Sequence, residues 1–290
     1  MHGAVNLRSP IALASDGEPE LQNRIAGATQ LERDHGAPIS IRNLTVRFGK
    51  LLAVDNVSLE IPNGQFVSIV GPSGCGKTTV LNTLTGLLPI TEGDISLRGR
   101  RPVAGNPDVA YMLARDSLLP WRTAVGNVQY GMEIRGVGGA EREALAREQL
   151  RRVGLGKFAD VYPKMLSQGM RQRCALARTF CLPSPILLMD EPFGALDAQT
   201  KMALEDLLLE LWSSERRTVV FITHDLAEAV AVSDRIIVMR PHPGRVIADI
   251  PIPLDRPRSV PALQKDRQFH ELYAEVWSRL EEGMEADRDH

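Results

Sequence analysis

Residues 66–88 read FVSIVGPSGCGKTTVLNTLTGLL. A run of five residues, apolar except for Ser68, leads into a turn containing Gly71, Gly74 and Gly76. Lys77 and Thr78 follow, and then a stretch compatible with a helix over 79–88. This is the order strand, G-x-x-x-x-G-K-[ST], helix. Each residue type has a physical reason: glycines let the backbone turn its N–H groups onto a phosphate, and a helix N-terminus adds positive potential. Lysine supplies a point charge, and a threonine hydroxyl is a ligand for Mg²⁺. Gly71, Pro72, Ser73, Gly74, Cys75, Gly76, Lys77, Thr78 and Thr79 are therefore the expected phosphate cradle, with Cys75 at a variable position as filler.

Working outward, three more short apolar runs occupy 186–189, 219–222 and 236–239. Unbroken runs of this length suit strands buried on both faces of a parallel sheet. The first ends in Asp190 and Glu191, and the second leads to His224 and Asp225. In open parallel sheets ligands bind beyond the carboxyl ends of the strands, so the glycine loop, the acid pair and the histidine point to one shared site. Two carboxylates at the end of a buried strand are costly to desolvate unless compensated. Asp190 fits a residue that helps hold Mg²⁺ beside Thr78, and Glu191 fits the base that orients or deprotonates an attacking water. His224, taken alone, also suits a hydrogen-bonded core histidine. The other five histidines, His2, His35, His242, His270 and His290, have no metal-ligand spacing.

Upstream, Ile41, Val46 and Phe48, then Val57, Leu59 and Ile61, alternate between turn residues, which predicts antiparallel strands from Ile39. Residues 118–165 change character, with a glycine-rich break at Gly136, Gly138 and Gly139 before a helix expected over 141–152. Prolines from Pro241 to Pro261 exclude a long helix there, whereas Leu272, Val276, Trp277 and Leu280 recur at helical spacing. That pattern predicts a C-terminal amphipathic helix packed back onto the domain. Residues 1–37 show no sustained period and are expected to form a disordered tail.

Composition excludes several classes. The 290 residues carry a formal net charge of -2 with both signs dispersed, so no basic field exists for a nucleic-acid backbone. No apolar run approaches the roughly 20 residues of a membrane span. Three cysteines, Cys75, Cys174 and Cys181, lack C-x-x-C spacing and are expected to be free thiols in a reducing cytoplasm. The N-terminal stretch, broken by Pro10 and followed by Asp16, Glu18 and Glu20, is unlike a secretory signal.

The segment 166–178, LSQGMRQRCALAR, resembles the LSGGQ signature of the ABC ATPases. Ser167 is a plausible N-cap whose helix N-terminus can bind an anion. The resemblance spans about residues 39–250 and implies an α/β fold: a P-loop NTPase core of ABC ATPase type with an antiparallel β subdomain and a helical signature subdomain. It divides the chain into a tail (1–37), an ABC ATPase domain (38–250, helical subdomain about 118–178) and a C-terminal extension (251–290). It also implies ATP and Mg²⁺ as cofactors. Phe48 then looks like the aromatic that stacks on adenine, although a core strand residue is the alternative reading. Ser167 and Gly169 look like contacts to the γ-phosphate bound by a partner subunit. The segment 195–197 looks like the D-loop and His224 like the switch histidine. Glu191, His224 and Lys77 become the expected catalytic set, with Thr78 and Asp190 for the metal.

Two segments depart from the family pattern. Gln168 and Met170 stand where Gly and Gln are usual, while Ser167 and Gly169 are kept. Ala114 stands at the usual Q-loop glutamine and has no oxygen for Mg²⁺ or water; Arg115 and Asp116 are the neighbours that could replace it. The stretches 118–122 (LLPWR) and 239–245 (MRPHPGR) resemble the nitrate, sulfonate and taurine importer subgroup. The implied protein energises solute import from the cytoplasmic face of the inner membrane. Its expected partners are a second ABC ATPase domain, homo- or heterodimeric, transmembrane permease subunits and a periplasmic solute-binding protein, with no nucleic acid. The alternatives are a soluble ABC ATPase not coupled to transport and a weakly hydrolysing regulatory subunit.

Overall fold

In a computed structural model of the chain, residues 38–114 and 116–288 are described. The expected tail (1–37) and Arg115 lie outside them. The first layer is antiparallel: β1 (Ile39–Phe48), β2 (Leu51–Ile61) and β4 (Glu92–Leu97) pair in the order β2-β1-β4. The second is a six-stranded sheet. It contains β3 (Phe66–Val70), β5 (Val109–Met112), β6 (Ile186–Asp190), β7 (Thr218–Ile222), β8 (Arg235–Arg240) and β9 (Arg245–Pro251) in the order β5-β6-β7-β3-β8-β9. All neighbours in it are parallel except β8 and β9.

The apolar runs are central strands for the reason the sequence suggests: β3, β6 and β7 are buried at every residue. Their side chains divide between two cores by pleat alternation. Phe66, Val70, Leu187, Met189, Val219 and Phe221 enter the core shared with the helical region and the C-terminal helix. Val67, Ile69, Ile186, Leu188, Val220 and Ile222 enter the core shared with the antiparallel sheet and the first helix. Full burial of each such side chain is worth about 1.5–3 kcal/mol. The register aligns Asp190 with Ile222, and Ile222 with Ile69, across three adjacent strands.

Eight α-helices are described: α1 (Lys77–Leu84), α2 (Ala124–Ile134), α3 (Gly139–Arg152), α4 (Gln168–Phe180), α5 (Ala198–Glu215), α6 (Leu226–Val232), α7 (Val260–Leu263) and α8 (Arg267–Arg288). Helix α1 stops four residues before the expected Leu88, because Gly86 takes a positive φ of 73° and the chain turns, with Leu87 and Leu88 N–H both donating to Asn82 O. α3 begins two residues earlier than expected, at the glycine break itself. α8 does pack back through Phe269, Leu272 and Val276, and these residues share the core of the parallel sheet. Trp277 departs from that expectation: it is 46% exposed and stacks on Tyr273. No helix among the described residues is long and apolar enough to cross a membrane.

Candidate functional site

The loop after β3 is built for close approach. A Cβ at Gly71 would lie 2.4 Å from Met239 O and 2.7 Å from Cys75 Sγ, so no side chain fits there. Gly76 precedes α1 at φ 91°, and α1 has no side-chain cap, which leaves its first-turn amides to an incoming acceptor. Lys77 is buried, and its Nζ donates to Gly71 O (2.8 Å) and Pro72 O (3.1 Å), curling over the loop that it would share with a phosphate. Ser73, Gly74 and Thr78 are exposed, Pro72 and Thr79 half-buried. Cys75 is fully buried with Sγ 3.8 Å from Lys77 Nζ, and burial pushes its thiol pKa up. Its contribution is therefore its backbone and volume.

The acid pair lies beside this loop. Thr78 Oγ1 donates to Asp190 Oδ1 at 3.2 Å, so a hydroxyl and a carboxylate already converge where hard oxygen ligands for Mg²⁺ are needed. Burial raises the Asp190 pKa; the Thr78 hydrogen bond opposes that, the Glu191 charge reinforces it and Lys77 opposes it. A cation at this point would relieve the buried charge, so the donor set fits the group. Glu191 takes a positive φ of 44° and donates its N–H to Ile222 O, and its Oε2 lies 3.1 Å from His224 Nδ1. His224 is exposed, which sets aside the core-histidine reading. Phe48, at 48% exposure, is likewise outside the core and leaves its ring open for stacking.

Ser167 is the N-cap of α4, with Oγ accepting from Met170 N at 3.3 Å. Ser167, Gln168, Gly169, Met170, Asp197 and Thr200 help line an open recess of about 450 Å³ that contains no residue of 71–79. A Cβ at Gly169 would meet Thr200 Cγ2 at 2.8 Å, which explains glycine there. The structure thus groups Lys77, Thr78, Asp190, Glu191 and His224, and sets Ser167 and Gly169 in a different recess.

Several contacts at the site carry no motif. Gln168, at the family's usual glycine, donates from Nε2 to Ala195 O (2.8 Å), and Gln172 one turn later donates to Pro192 O. Tyr111 at the end of β5 donates to Asn82 Oδ1, and burial with the nearby Asp190 carboxylate pushes its pKa up to about 12. Asp116 pairs with Arg171 Nε at 2.8 Å, Arg171 also donates to Leu166 O, and Arg178 donates to the Asp116 and Ser117 carbonyls. The loop after Ala114 is thereby tied to the helix that begins at Ser167. Period and spacing reveal none of these pairs, since all but the Arg171–Leu166 contact join residues 20 or more apart in sequence. Burial pushes both Cys174 and Cys181 up to about 12, so these thiols stay protonated. Cys174 is fully buried, and Cys181 partly, against Met132 Sδ.

Behind His224 sits a buried acidic group. Burial raises Glu205 to about 7 and Glu228 to about 8, against the opposing charge of Lys201 in both cases. Both acids hold their proton more tightly folded than unfolded, so their contribution favours the fold at low pH and is lost as pH rises from about 4.5 through about 7 for Glu205. Glu205→Gln is expected to be more stable than the parent at pH 8 by about 1–3 kcal/mol, with the difference vanishing towards pH 4.5. Urea unfolding at both pH values checks this; equal midpoints at pH 8 would contradict it.

A glycine loop on a helix N-terminus, a buried lysine over it and an acid pair at the end of β6, two strands along the same sheet, define a P-loop nucleotide-binding domain. Residues 54–194 match the ABC transporter family. An ATP-binding protein of Brucella abortus (strain 2308) is 46% identical over 240 residues, covering 82% of this chain and 92% of that protein. The taurine import ATP-binding protein TauB of Rhizobium johnstonii is 42% identical over 235 residues, covering 79% and 90%. A dimeric ATP-binding cassette in a post-hydrolysis state bound to ADP and Pi superposes with a TM-score of 0.65 at 32% identity, covering 75% of this chain and all of that one. The chain belongs to the ATP-hydrolysing ABC transporter ATPase family.

Proposed function

We propose that this chain is the motor subunit of a membrane importer for a small anionic solute such as nitrate, a sulfonate or taurine, acting at the cytoplasmic face of the inner membrane. The observation that carries the reading is the division of the site: Ser167 and Gly169 line a recess separate from Lys77, Thr78, Asp190, Glu191 and His224. Two such domains placed head to tail complete both sites, each chain presenting its α4 N-terminus to the γ-phosphate on the other. The solute class follows the likeness to the taurine import protein.

Within one site, Phe48 stacks on the adenine, Lys77 and the amides from Gly71 to Thr79 hold the phosphates, and Thr78 and Asp190 would hold Mg²⁺. When bound, that ion supplies positive charge against the phosphate oxygens. Glu191 accepts the proton of the water whose oxygen bonds to the γ-phosphorus, the bond to the ADP oxygen breaks, and ADP and phosphate result. His224, 3.1 Å from Glu191, orients that carboxylate and meets the γ-phosphate. Leu113 and Trp121, 43% and 71% exposed on either side of Ala114, suit a face that docks on permease subunits, with a periplasmic solute-binding protein delivering cargo.

Co-purification of the tagged chain in detergent with its membrane subunits, followed by ATPase assay, tests the reading. Stable capture with hydrolysis supports it; hydrolysis without any membrane partner would replace it by the soluble ATPase. In the assembled complex Ala114→Gln is expected to raise the ATPase rate by about 2- to 10-fold, the equivalent of one added hydrogen bond. An unchanged rate would mean that Asp116, fixed by Arg171, already serves the junction.

A further inference from the structure

The polar group behind His224 has an organisation that the nucleotide pocket does not require. Lys201 and Glu205 come from α5, Thr223 follows β7, and Asp225 and Glu228 open α6. Lys201 Nζ lies 2.7 Å from Asp225 Oδ2 and 3.7 Å from Glu228 Oε2. The second carboxyl oxygen of Asp225, Oδ1, caps α6 by accepting from Glu228 N (3.1 Å). Thr223 Oγ1 accepts from Asp225 N (2.9 Å) and donates to Glu228 Oε2. Both sequence neighbours of His224 are therefore fixed, and the fixing converges on one cation.

That cation sits on a different element. Lys201 is in the first turn of α5, and its N–H donates to Asp197 O; Asp197 is the N-cap of α5 and ends the loop that starts at Glu191. The Lys201 side chain is 15% exposed, that of Glu228 2% and that of Asp225 39%, so the cation is held from the buried side by Glu228 and from the solvent side by Asp225. Without the lysine, the Asp225 carboxylate would lose its counter-charge beside the buried carboxyl groups of Glu228 and Glu205, and the turn would have to move or take up a proton. Among the described residues, the imidazole of His224 hydrogen-bonds the side chain of Glu191, Nδ1 to Oε2 at 3.1 Å, and the turn carries the ring to that carboxylate.

We infer that Lys201 is a positioning residue for ATP hydrolysis: by holding Asp225 it sets the turn that carries His224 against Glu191, and it locks that turn to the loop running from Glu191 to Asp197. The inference rests on the reading of Glu191 and His224 as hydrolytic groups given above. Displacement of a reacting group by about 1 Å can cost on the order of 10²-fold in rate while leaving substrate binding intact. The ion pairs of Lys201 run to Asp225 and Glu228 on α6 and not to the phosphate loop, so its loss is read in turnover and not in affinity.

The test measures kcat and KM for ATP, with thermal midpoints, on the full chain carrying Lys201→Met, Lys201→Arg, Asp225→Asn, His224→Ala and the Lys201→Met/His224→Ala pair. Asp225→Asn keeps a residue able to cap α6 while removing the charge that Lys201 holds, and so reports even if Lys201→Met does not fold. The expected result is a fall in kcat of about 10- to 100-fold in Lys201→Met and Asp225→Asn with KM within about threefold, recovery in Lys201→Arg, and a double variant no slower than His224→Ala alone. A folded Lys201→Met or Asp225→Asn with parental kcat would overturn the inference, as would a double variant slower by the product of the two single effects. A parental rate in His224→Ala would instead remove the role of the histidine, and the inference with it, while Glu191→Gln in the same assay shows whether hydrolysis still runs through the acid pair.

Discussion

Glu191→Gln is expected to bind ATP as the parent does and to turn it over on the order of 10² to 10⁴ times more slowly, the span associated with loss of a general base. The geometry gives the reason. Glu191 follows the last residue of β6, its backbone is pinned by Ile222 O, and its carboxylate is hydrogen-bonded to His224, whereas Asp190 is engaged by Thr78. Glutamine keeps the volume and one oxygen but cannot accept a proton from water at neutral pH. Phosphate release at saturating ATP together with equilibrium nucleotide binding measures both halves. Near-parental turnover would take Glu191 out of the chemistry and leave Asp190 or His224 to be reconsidered.

Lys77→Ala acts on the other half of the site and should weaken ATP binding itself by roughly 10- to 100-fold, the equivalent of a charge-assisted contact to phosphate. Lys77 Nζ now satisfies two loop carbonyls, Gly71 O and Pro72 O, so its removal also leaves the loop less firmly shaped. Lys77→Met, which keeps the buried stem and removes the ammonium, separates the two contributions. An unchanged ATP affinity in both variants would contradict the assigned role, whereas a loss in alanine alone would assign the effect to loop shape.

Most of the site was legible in the sequence because its parts are local. The phosphate loop is contiguous, the acid pair ends an apolar run, and His224 follows another, so strand order was not needed to recognise them. The same locality explains the antiparallel strands and α8. Other features escaped. Thr78 reaching Asp190, or Arg171 reaching Asp116, joins segments more than 50 residues apart, and no period encodes that. Gln168 was legible only as a departure, whereas its partner, the Ala195 carbonyl, is a backbone atom to which sequence gives no clue. Trp277 illustrates a different failure: it sits on helical spacing with Leu280, yet the core-facing stripe of α8 runs through Phe269, Leu272 and Val276 and the indole next to it remains at the surface. Helix α1 ends short of Leu88 because Gly86 adopts a positive φ, a choice that the helix-compatible residues around it do not reveal.

The alternation of β3, β6 and β7 between two cores has a consequence for how this chain tolerates change in length. A residue inserted or deleted within one of these strands shifts its end by about 3.3 Å and sends every side chain to the opposite core. Val67 and Ile69 would then have to fit where Phe66 and Val70 belong. The sheet therefore works as a ruler with the two cores as its check: Gly71, Glu191 and His224 are metered from strands whose register places Ile69, Asp190 and Ile222 side by side. Length variation should be absorbed in the turns far from this edge, such as 62–65 before β3 or 216–217 before β7. The spacing between the glycine loop, the acid pair and the histidine would then survive changes that alter the separation of these residues along the chain.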